Sequence, residues 1–193
     1  MRKLVVAFAV LATAFALASP AGAEVSDAFD GAVACATQPA GSEYVGQRWC
    51  GTDTSSALSR STVPSWDGTP IDVNFALPPE PESGPDGPYP TVMIFHGWAG
   101  SKLTFASMQR WLTRGYAVFS ITDRGFHESC GSLASRVAAG SACDNGYIRL
   151  LDTRYEVRDA QHLVGLLVDD GLVEPDRIAA SGGSYGGAMS MAL

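Results

Sequence analysis

The residue of this sequence best suited to carry chemistry is Ser184, the third residue of a G-x-S-x-G pattern at residues 182–186. An apolar run typical of a strand precedes the pattern at residues 177–180, and a helix-forming run follows it at residues 188–193. Strand, tight glycine turn and helix are the context of a nucleophile elbow, in which a strained serine presents its hydroxyl at a helix N-terminus. The pattern alone also occurs in ordinary loops, so the flanking runs carry the prediction that Ser184 is a nucleophile.

A nucleophilic serine also needs N–H donors for the negative oxygen that forms on the substrate. We predict the backbone N–H of Tyr185, the residue after the nucleophile, as one donor and that of Trp98 as the other. Trp98 follows His96 and Gly97 at the end of an apolar run of strand length. A glycine there lets the backbone approach a substrate closely. The alternative for this segment is an ordinary turn at a strand end.

The general base and its orienting acid cannot be assigned from these residues. On this architecture the sequence order is serine, acid, histidine, but residues 185–193 contain no Asp, Glu or His. We interpret His162 as a helix residue and His96 as part of the oxyanion strand end. His127 is the one histidine that could lie near Ser184, and we do not expect it to be the base. We therefore expect an N-terminal fragment of a larger enzyme, or a truncated gene product, without the acid and the base.

Length and composition indicate one globular domain, and the N-terminal residues indicate an export signal that precedes it. The 193 residues are 46% hydrophobic and 17% charged, which is the balance of a folded protein. Arg2 and Lys3 precede an apolar run at residues 4–18, and an A-x-A pattern ends at Ala23. That run is shorter than the roughly 20 residues that span a bilayer. We therefore predict a signal peptide at residues 1–23 and a secreted protein, rather than a membrane anchor.

The net charge of the protein argues against some classes of binding partner. The value of −7 at pH 7 becomes more negative once the basic leader is removed. An acidic surface argues against nucleic acid or an anionic membrane as a partner.

Motifs for cofactors and metals are missing from the sequence. A dinucleotide site is excluded because G-x-G-x-x-G from Gly182 would need glycine at position 184. No C-x-x-C pattern occurs, so we expect no metal site and no cofactor.

The four cysteines, an even number in an exported protein, indicate disulfides. Three pairings are possible from the sequence alone. We favour Cys35–Cys50 and Cys130–Cys143, because each pair joins neighbours across a loop rich in glycine and serine.

Strand and helix signals alternate in the second part of the sequence. Residues 24–62 are small and polar, and they indicate an N-terminal extension with little regular structure. The patterns predict strands at 71–77, 91–95, 116–121 and 177–180, and helices at 103–114 and from a T-x-x-E capping box at 153–156 to Gly171. This order predicts an α/β fold with a mostly parallel sheet and helices on both faces, incomplete after the elbow.

Several motifs, taken together, carry a family resemblance. In sequence order they are residues 65–71, 95–102, 122–129, 152–159 and 182–187. Together they resemble the Xaa-Pro dipeptidyl-peptidase-like α/β-hydrolases, which include the cocaine-esterase type of acyl esterase, over residues 63–193. The resemblance implies a partial α/β-hydrolase domain, Ser184 as the acylated nucleophile, and an Asp and a His further on in the sequence. It also implies a helical cap and a jelly-roll domain in full members. His127 departs from it, since the family loop usually has glycine there.

These observations predict a secreted serine hydrolase that acts on a small-molecule ester or peptide through an acyl-enzyme at Ser184. A peptidase of the Xaa-Pro dipeptidyl-peptidase type and an acyl esterase are both compatible with the residues. The alternative is a non-catalytic secreted protein on a hydrolase scaffold, and the incomplete triad is its support.

Overall fold

The structure, a computed structural model, describes residues 25–53 and 60–193. The predicted signal peptide at residues 1–23 lies outside these ranges. None of the helices within them is long and apolar enough to cross a membrane. The strands are β1 (Cys35–Thr37), β2 (Arg48–Cys50), β3 (Thr62–Pro64), β4 (Pro70–Leu77), β5 (Tyr89–Phe95), β6 (Ala117–Ile121) and β7 (Val173–Gly182), and the helices are α1 (Phe105–Leu112), α2 (Leu133–Ala139), α3 (Glu156–Asp169) and α4 (Tyr185–Ala192).

The strands form one mixed sheet in the order β1-β2-β4-β6-β5-β7, with β3 paired to β4. Strands β6, β5 and β7 run parallel to one another. Strands β1 to β4 pair antiparallel, and β4 joins the parallel part by an antiparallel pairing with β6. The predicted α/β fold is confirmed, but the sheet is mixed rather than mostly parallel, because four of the six strand pairings within residues 25–53 and 60–193 are antiparallel. The parallel part is the one that matters for function, because its carboxyl ends share one edge of the sheet.

Helices cover both faces of β6, as the alternation of elements predicts, whereas residues 175–182 of the edge strand β7 are exposed. Every residue of β6 is buried, which is what a strand covered on both faces requires. On one face, α1 packs Phe105, Met108 and Leu112 against Val118. On the other face, α3 and α4 contribute to the main core, whose α3 and α4 members are Val157, Ala160, Leu163, Val164, Leu167 and Met189.

The N-terminal extension is part of the sheet, which differs from the expectation of little regular structure. Strands β1 and β2 pair with Cys35 opposite Cys50, and these two cysteines form a disulfide. Phe29 is buried beside Phe75 and Phe119 at ring-centroid distances of 6.3 and 5.8 Å. Strands of three residues are too short to give a periodic signal in the sequence, so the pattern could not reveal them.

A long excursion, residues 126–147, separates β6 from α3. It contains a π-helical turn (His127–Gly131), α2 and a 3₁₀ turn (Gly140–Cys143). The disulfide Cys130–Cys143 closes it, so both favoured cysteine pairings are confirmed. Helix α3 begins at Glu156 rather than at the predicted capping box, because the Glu156 carboxylate accepts hydrogen bonds from the backbone N–H groups of Arg149 and Asp152.

Candidate active site

Ser184 lies in the turn between β7 and α4, at the N-cap position of the helix. Its φ of 55° and ψ of −119° are a conformation that L-residues rarely adopt, and it costs about 1–3 kcal/mol. The two motif glycines explain how so tight a turn is possible. A Cβ on Gly182 would lie 2.5 Å from the carbonyl carbon of Gly186, and one on Gly186 would lie 2.3 Å from the carbonyl oxygen of Phe95. Only glycine lets these three backbone segments approach so closely.

The segment after β5 runs against this turn. A Cβ on Gly97 would lie 3.6 Å from the carbonyl oxygen of Gly183 and 3.9 Å from Cβ of Ser184, which is van der Waals contact. The N–H of Gly100 donates to the carbonyl of Gly97 at 2.9 Å, so residues 97–100 form a four-residue turn. That turn engages the N–H of Gly100 and not that of Trp98.

Four rings surround the turn. Trp98 meets Tyr185 at a centroid distance of 5.5 Å and Phe126 at 5.2 Å, both edge to face. Phe126 also contacts Tyr185 at 5.7 Å and His96 at 5.2 Å. These contacts fix the orientation of the Trp98 ring, which is nevertheless 57% exposed. The structure thus brings Ser184, Tyr185 and Trp98 together.

His96 is a structural link in this site. Its Nε2 accepts a hydrogen bond from the backbone N–H of Asp123 at 2.9 Å. The proton must therefore lie on Nδ1, which donates to the carbonyl of Gly97 at 2.7 Å. Burial lowers the pKa of His96, so the ring is neutral near pH 7. With both nitrogens engaged, His96 has none left to take a proton from a serine.

Asp123 lies beside His96 at the end of β6. Its side chain is fully buried, and neither carboxyl oxygen has a hydrogen-bond partner among residues 25–53 and 60–193. Burial, with smaller contributions from Glu156 and Asp159, raises the pKa of Asp123 to about 8. The 3.5 Å between His96 Nε2 and Asp123 Oδ2 is therefore a contact between two neutral groups near pH 7, not an ion pair.

Arg124 joins three parts of the protein behind the site. It is fully buried and binds the carboxylate of Asp67 at 2.9 and 3.1 Å and that of Asp159 at 2.7 Å. Trp66 and Tyr155 lie against the guanidinium at 5.7 and 5.3 Å. Burial alone would lower the pKa of Arg124, but the hydrogen bonds to Asp159 and Asp67 outweigh it and raise that pKa. The arginine ties the β3–β4 turn, the loop after β6 and α3 together.

Lys102 anchors the end of the segment at residues 97–102. Its backbone N–H donates to Thr122 Oγ1 at 3.0 Å, and its ammonium group binds Asp72 Oδ1 at 2.8 Å. Burial lowers the pKa of Lys102, although Asp72 opposes this effect. The loop from β5 to α1 is thus fixed to β4 and to the end of β6.

The other two histidines lie elsewhere. His162 is a half-buried residue of α3, as predicted. His127 is exposed, and its Nε2 lies 2.9 Å from the carbonyl oxygen of Ala99. Within residues 25–53 and 60–193, no hydrogen bond joins Ser184 to a histidine. Over the same ranges there is no group of three His, Cys, Asp or Glu side chains that could hold a metal ion.

Sequence reasoning missed Arg124, Lys102 and Asp123. The segments at 95–102 and 122–129 served only as motifs of the family resemblance, and none of these three side chains was given a role. The signal that could have found Asp123 and Arg124 is their position, directly after a buried strand of the parallel sheet, where functional residues collect. Their partners lie too far away in sequence to be read from spacing.

Comparison with known proteins identifies the family. A family model described as acetyl xylan esterase (AXE1) matches residues 58–193. The protein belongs to the acetyl xylan esterase family. The α/β-hydrolase recognition made from the motifs is confirmed, and the family relationship is that of a hydrolase of the esterase and peptidase type.

Individual relatives place the family member among larger proteins. It is 32% identical over 108 residues to dipeptidyl aminopeptidase BIII from Pseudoxanthomonas mexicana, a match that covers 53% of this protein and 14% of that one. An acetyl xylan esterase from Paenibacillus sp. R4 gives a TM-score of 0.52 at 18% identity over 90% of this protein and 56% of the other. A puromycin hydrolase gives 0.52 at 23% identity over 69% and 19%. The two structures agree with this one in fold. The acetyl xylan esterase family member described here spans less than two thirds of each of these proteins.

Proposed function

We propose that this protein carries the nucleophile of a serine hydrolase, with Ser184 as the residue that is acylated. The observation that carries the proposal is the strained Ser184 between β7 and α4, with Gly97 so near this turn that a Cβ there would touch Gly183 and Ser184. Strain of this kind persists where the surrounding structure holds it, and it collects at functional sites.

The reaction follows from the groups around the turn. Oγ of Ser184 attacks the carbonyl carbon of the substrate, and the electron pair of the C=O bond moves to the oxygen. The N–H groups of Tyr185 and Trp98 bind that oxyanion, in a site where fixed donors are worth more than in water. The C–O or C–N bond then breaks, the leaving group takes the proton that the serine lost, and an acyl-enzyme remains. Water hydrolyses it in a second, equivalent step.

The proton carrier is the part that the described residues do not supply. His96 is occupied by Gly97 and Asp123, and His127 binds Ala99. In this fold the acid and the histidine follow the elbow in sequence. We therefore expect an Asp or Glu and then a His in a segment that follows α4.

The substrate that we favour is a carboxylic ester, and an acetyl ester in particular. Membership of the acetyl xylan esterase family supports it. A peptide is the second candidate, supported by the 32% identity to a dipeptidyl aminopeptidase. We also propose that the protein is secreted after cleavage of residues 1–23. Its two disulfides support export, because such bonds persist in oxidising compartments. N-terminal sequencing of the exported protein tests the cleavage site.

The test of the nucleophile uses a fluorophosphonate probe on the 193-residue protein and on the longest product of its gene. In the longer product we expect labelling that is lost in Ser184→Ala and kept in Ser181→Ala, a matched control because Ser181 is an exposed serine of the same strand end. Labelling of the longer product alone would assign the acid and the base to a segment that follows α4. Absence of labelling in both would favour the non-catalytic alternative. Initial rates on p-nitrophenyl acetate and on an Xaa-Pro p-nitroanilide then separate the two substrate classes.

A further inference from the structure

His127 is held in an unusual backbone conformation. It is the first residue of the π-helical turn, and its φ is 37°. Its carbonyl oxygen accepts hydrogen bonds from the N–H of Ser132 at 2.7 Å and from Oγ of Ser135 at 3.1 Å. The start of α2 therefore fixes the backbone at this position. Glycine would adopt this φ without strain, so the presence of histidine indicates that its side chain has a use.

The ring of His127 forms a hydrogen bond with the turn at residues 97–100. Its Nε2 lies 2.9 Å from the carbonyl oxygen of Ala99, a residue 28 positions away in the sequence. Because a carbonyl oxygen accepts, Nε2 carries the proton and donates. This is the one hydrogen bond that the ring makes within the described part of the protein.

Ala99 is itself in a left-handed conformation, with φ of 59°. It is the third residue of the turn at residues 97–100, and a non-glycine residue with positive φ is disfavoured at that place. A turn that is strained in this way needs an outside contact to remain in one geometry. The residue before Ala99 is Trp98, whose N–H is the proposed oxyanion donor.

We propose that His127 is a positioning residue for the turn at residues 97–100, which carries the proposed oxyanion donor. Its ring holds the carbonyl of Ala99, keeps the strained turn closed, and so fixes the direction of the Trp98 N–H relative to Ser184. The inference rests on the proposed function for its catalytic purpose. It does not make His127 a base, since the proton on Nε2 is already donated to a carbonyl.

The first test is kinetic, on the longest active product of the gene with p-nitrophenyl acetate. For His127→Gly we expect kcat about tenfold lower, a fraction of the loss seen when a whole oxyanion donor is removed. The KM should change little, and the pH profile should keep its shape. The midpoint of thermal unfolding should stay equal or rise, because glycine relieves the strain at positive φ. His162→Gln, a half-buried position of α3, is the matched control and should leave kcat unchanged.

The second test needs no catalysis. Amide hydrogen exchange, followed by mass spectrometry, should become faster in peptides that cover residues 97–101 of His127→Gly and remain unchanged in peptides that cover α4. Unchanged exchange at 97–101 would overturn the inference. So would an unchanged kcat, or restoration of kcat by added imidazole, which would make the ring a base.

The two proposals can fail separately. Protein that is inactive and unlabelled in every form would refute the proposed function, and with it the catalytic purpose of this contact. The exchange experiment alone still decides whether His127 holds the loop.

Discussion

Replacing Gly186 by alanine tests how tightly the nucleophile elbow packs on β5. The added Cβ would lie 2.3 Å from the carbonyl oxygen of Phe95, 2.7 Å from its carbonyl carbon and 2.8 Å from the carbonyl oxygen of His96. All three are backbone atoms, so no side-chain rotation relieves the contact. Overpacking of this kind costs about 3 kcal/mol. Alanine in place of glycine in a helix returns about 1 kcal/mol. The packing term wins, and we expect a net loss of about 2 kcal/mol in the free energy of unfolding.

To relieve these contacts, the start of α4 must move away from β5. This movement also shifts Ser184 relative to the proposed oxyanion donors. We expect the rate of fluorophosphonate labelling of Gly186→Ala to fall by at least about tenfold, since a misplacement of about 1 Å can cost far more. Urea denaturation followed by circular dichroism gives the free energy, and a time course with the probe gives the rate.

Two glycines serve as controls for this experiment. Gly165 lies within α3 and Gly183 beside the nucleophile, and a Cβ on either would have no atom within 4 Å. Gly165→Ala should therefore stabilise the protein by up to about 1 kcal/mol through helix propensity alone. Gly183→Ala should leave both stability and labelling close to wild type. If Gly186→Ala were as stable and as reactive as Gly183→Ala, the close approach of α4 to β5 would not be what holds the elbow, and the reasoning would be refuted.

Three further predictions concern the surroundings of the site. Arg124→Met should destabilise the fold by about 3–5 kcal/mol, because it leaves two buried carboxylates without their positive partner. The control Arg154→Met, at a position whose side chain is 79% exposed, should cost no more than about 1 kcal/mol. Denaturation curves of the two variants compare these free energies directly. The folded pKa of about 8 for Asp123 lies above its unfolded value of about 3.9. The free energy of unfolding should therefore fall as pH rises from about 4 to about 8, and Asp123→Asn should weaken this slope in a pH series of urea titrations. Replacing both Cys130 and Cys143 by alanine should cost about 3 kcal/mol, since their bond closes a loop with a sequence separation of 13, and equal stability with and without the pair would contradict the loop-closure account.

The elements that the sequence predicted well are those with strong local patterns. The apolar runs located β5 and β6 to within two residues, and the helical spacing after Lys102 located α1. Their signals arise from burial of a periodic face, which needs only neighbouring residues to be visible. The start of α3 was wrong by three residues, because Glu156 satisfies backbone groups before the helix instead of its own capping box.

The parts of the site that were missed depend on contacts between distant residues. Arg124 meets Asp67 across 57 positions and Asp159 across 35. No spacing rule connects such pairs. Because arginine is usually a surface residue, its residue type gave no sign that Arg124 is buried. The elbow at Ser184 was predictable because strand, turn and helix adjoin one another. The roles of Ser184, Tyr185 and Trp98 remain predictions for the experiments above.

The excursion between β6 and α3 begins and ends at one place. A Cβ on Gly125 would lie 2.3 Å from the backbone nitrogen of Ile148, and Arg136 donates to the carbonyl of Cys143 at 3.3 Å from inside the loop. The segment is therefore closed on itself by its own disulfide. Its first residues nevertheless bind the scaffold, because Oγ of Ser129 accepts from the N–H of Asp72 and Nε2 of His127 donates to the carbonyl of Ala99. New sequence could therefore be accepted at residues 132–142, inside the disulfide-closed loop, while residues 126–129 must stay constant if the surroundings of Ser184 are to keep their geometry.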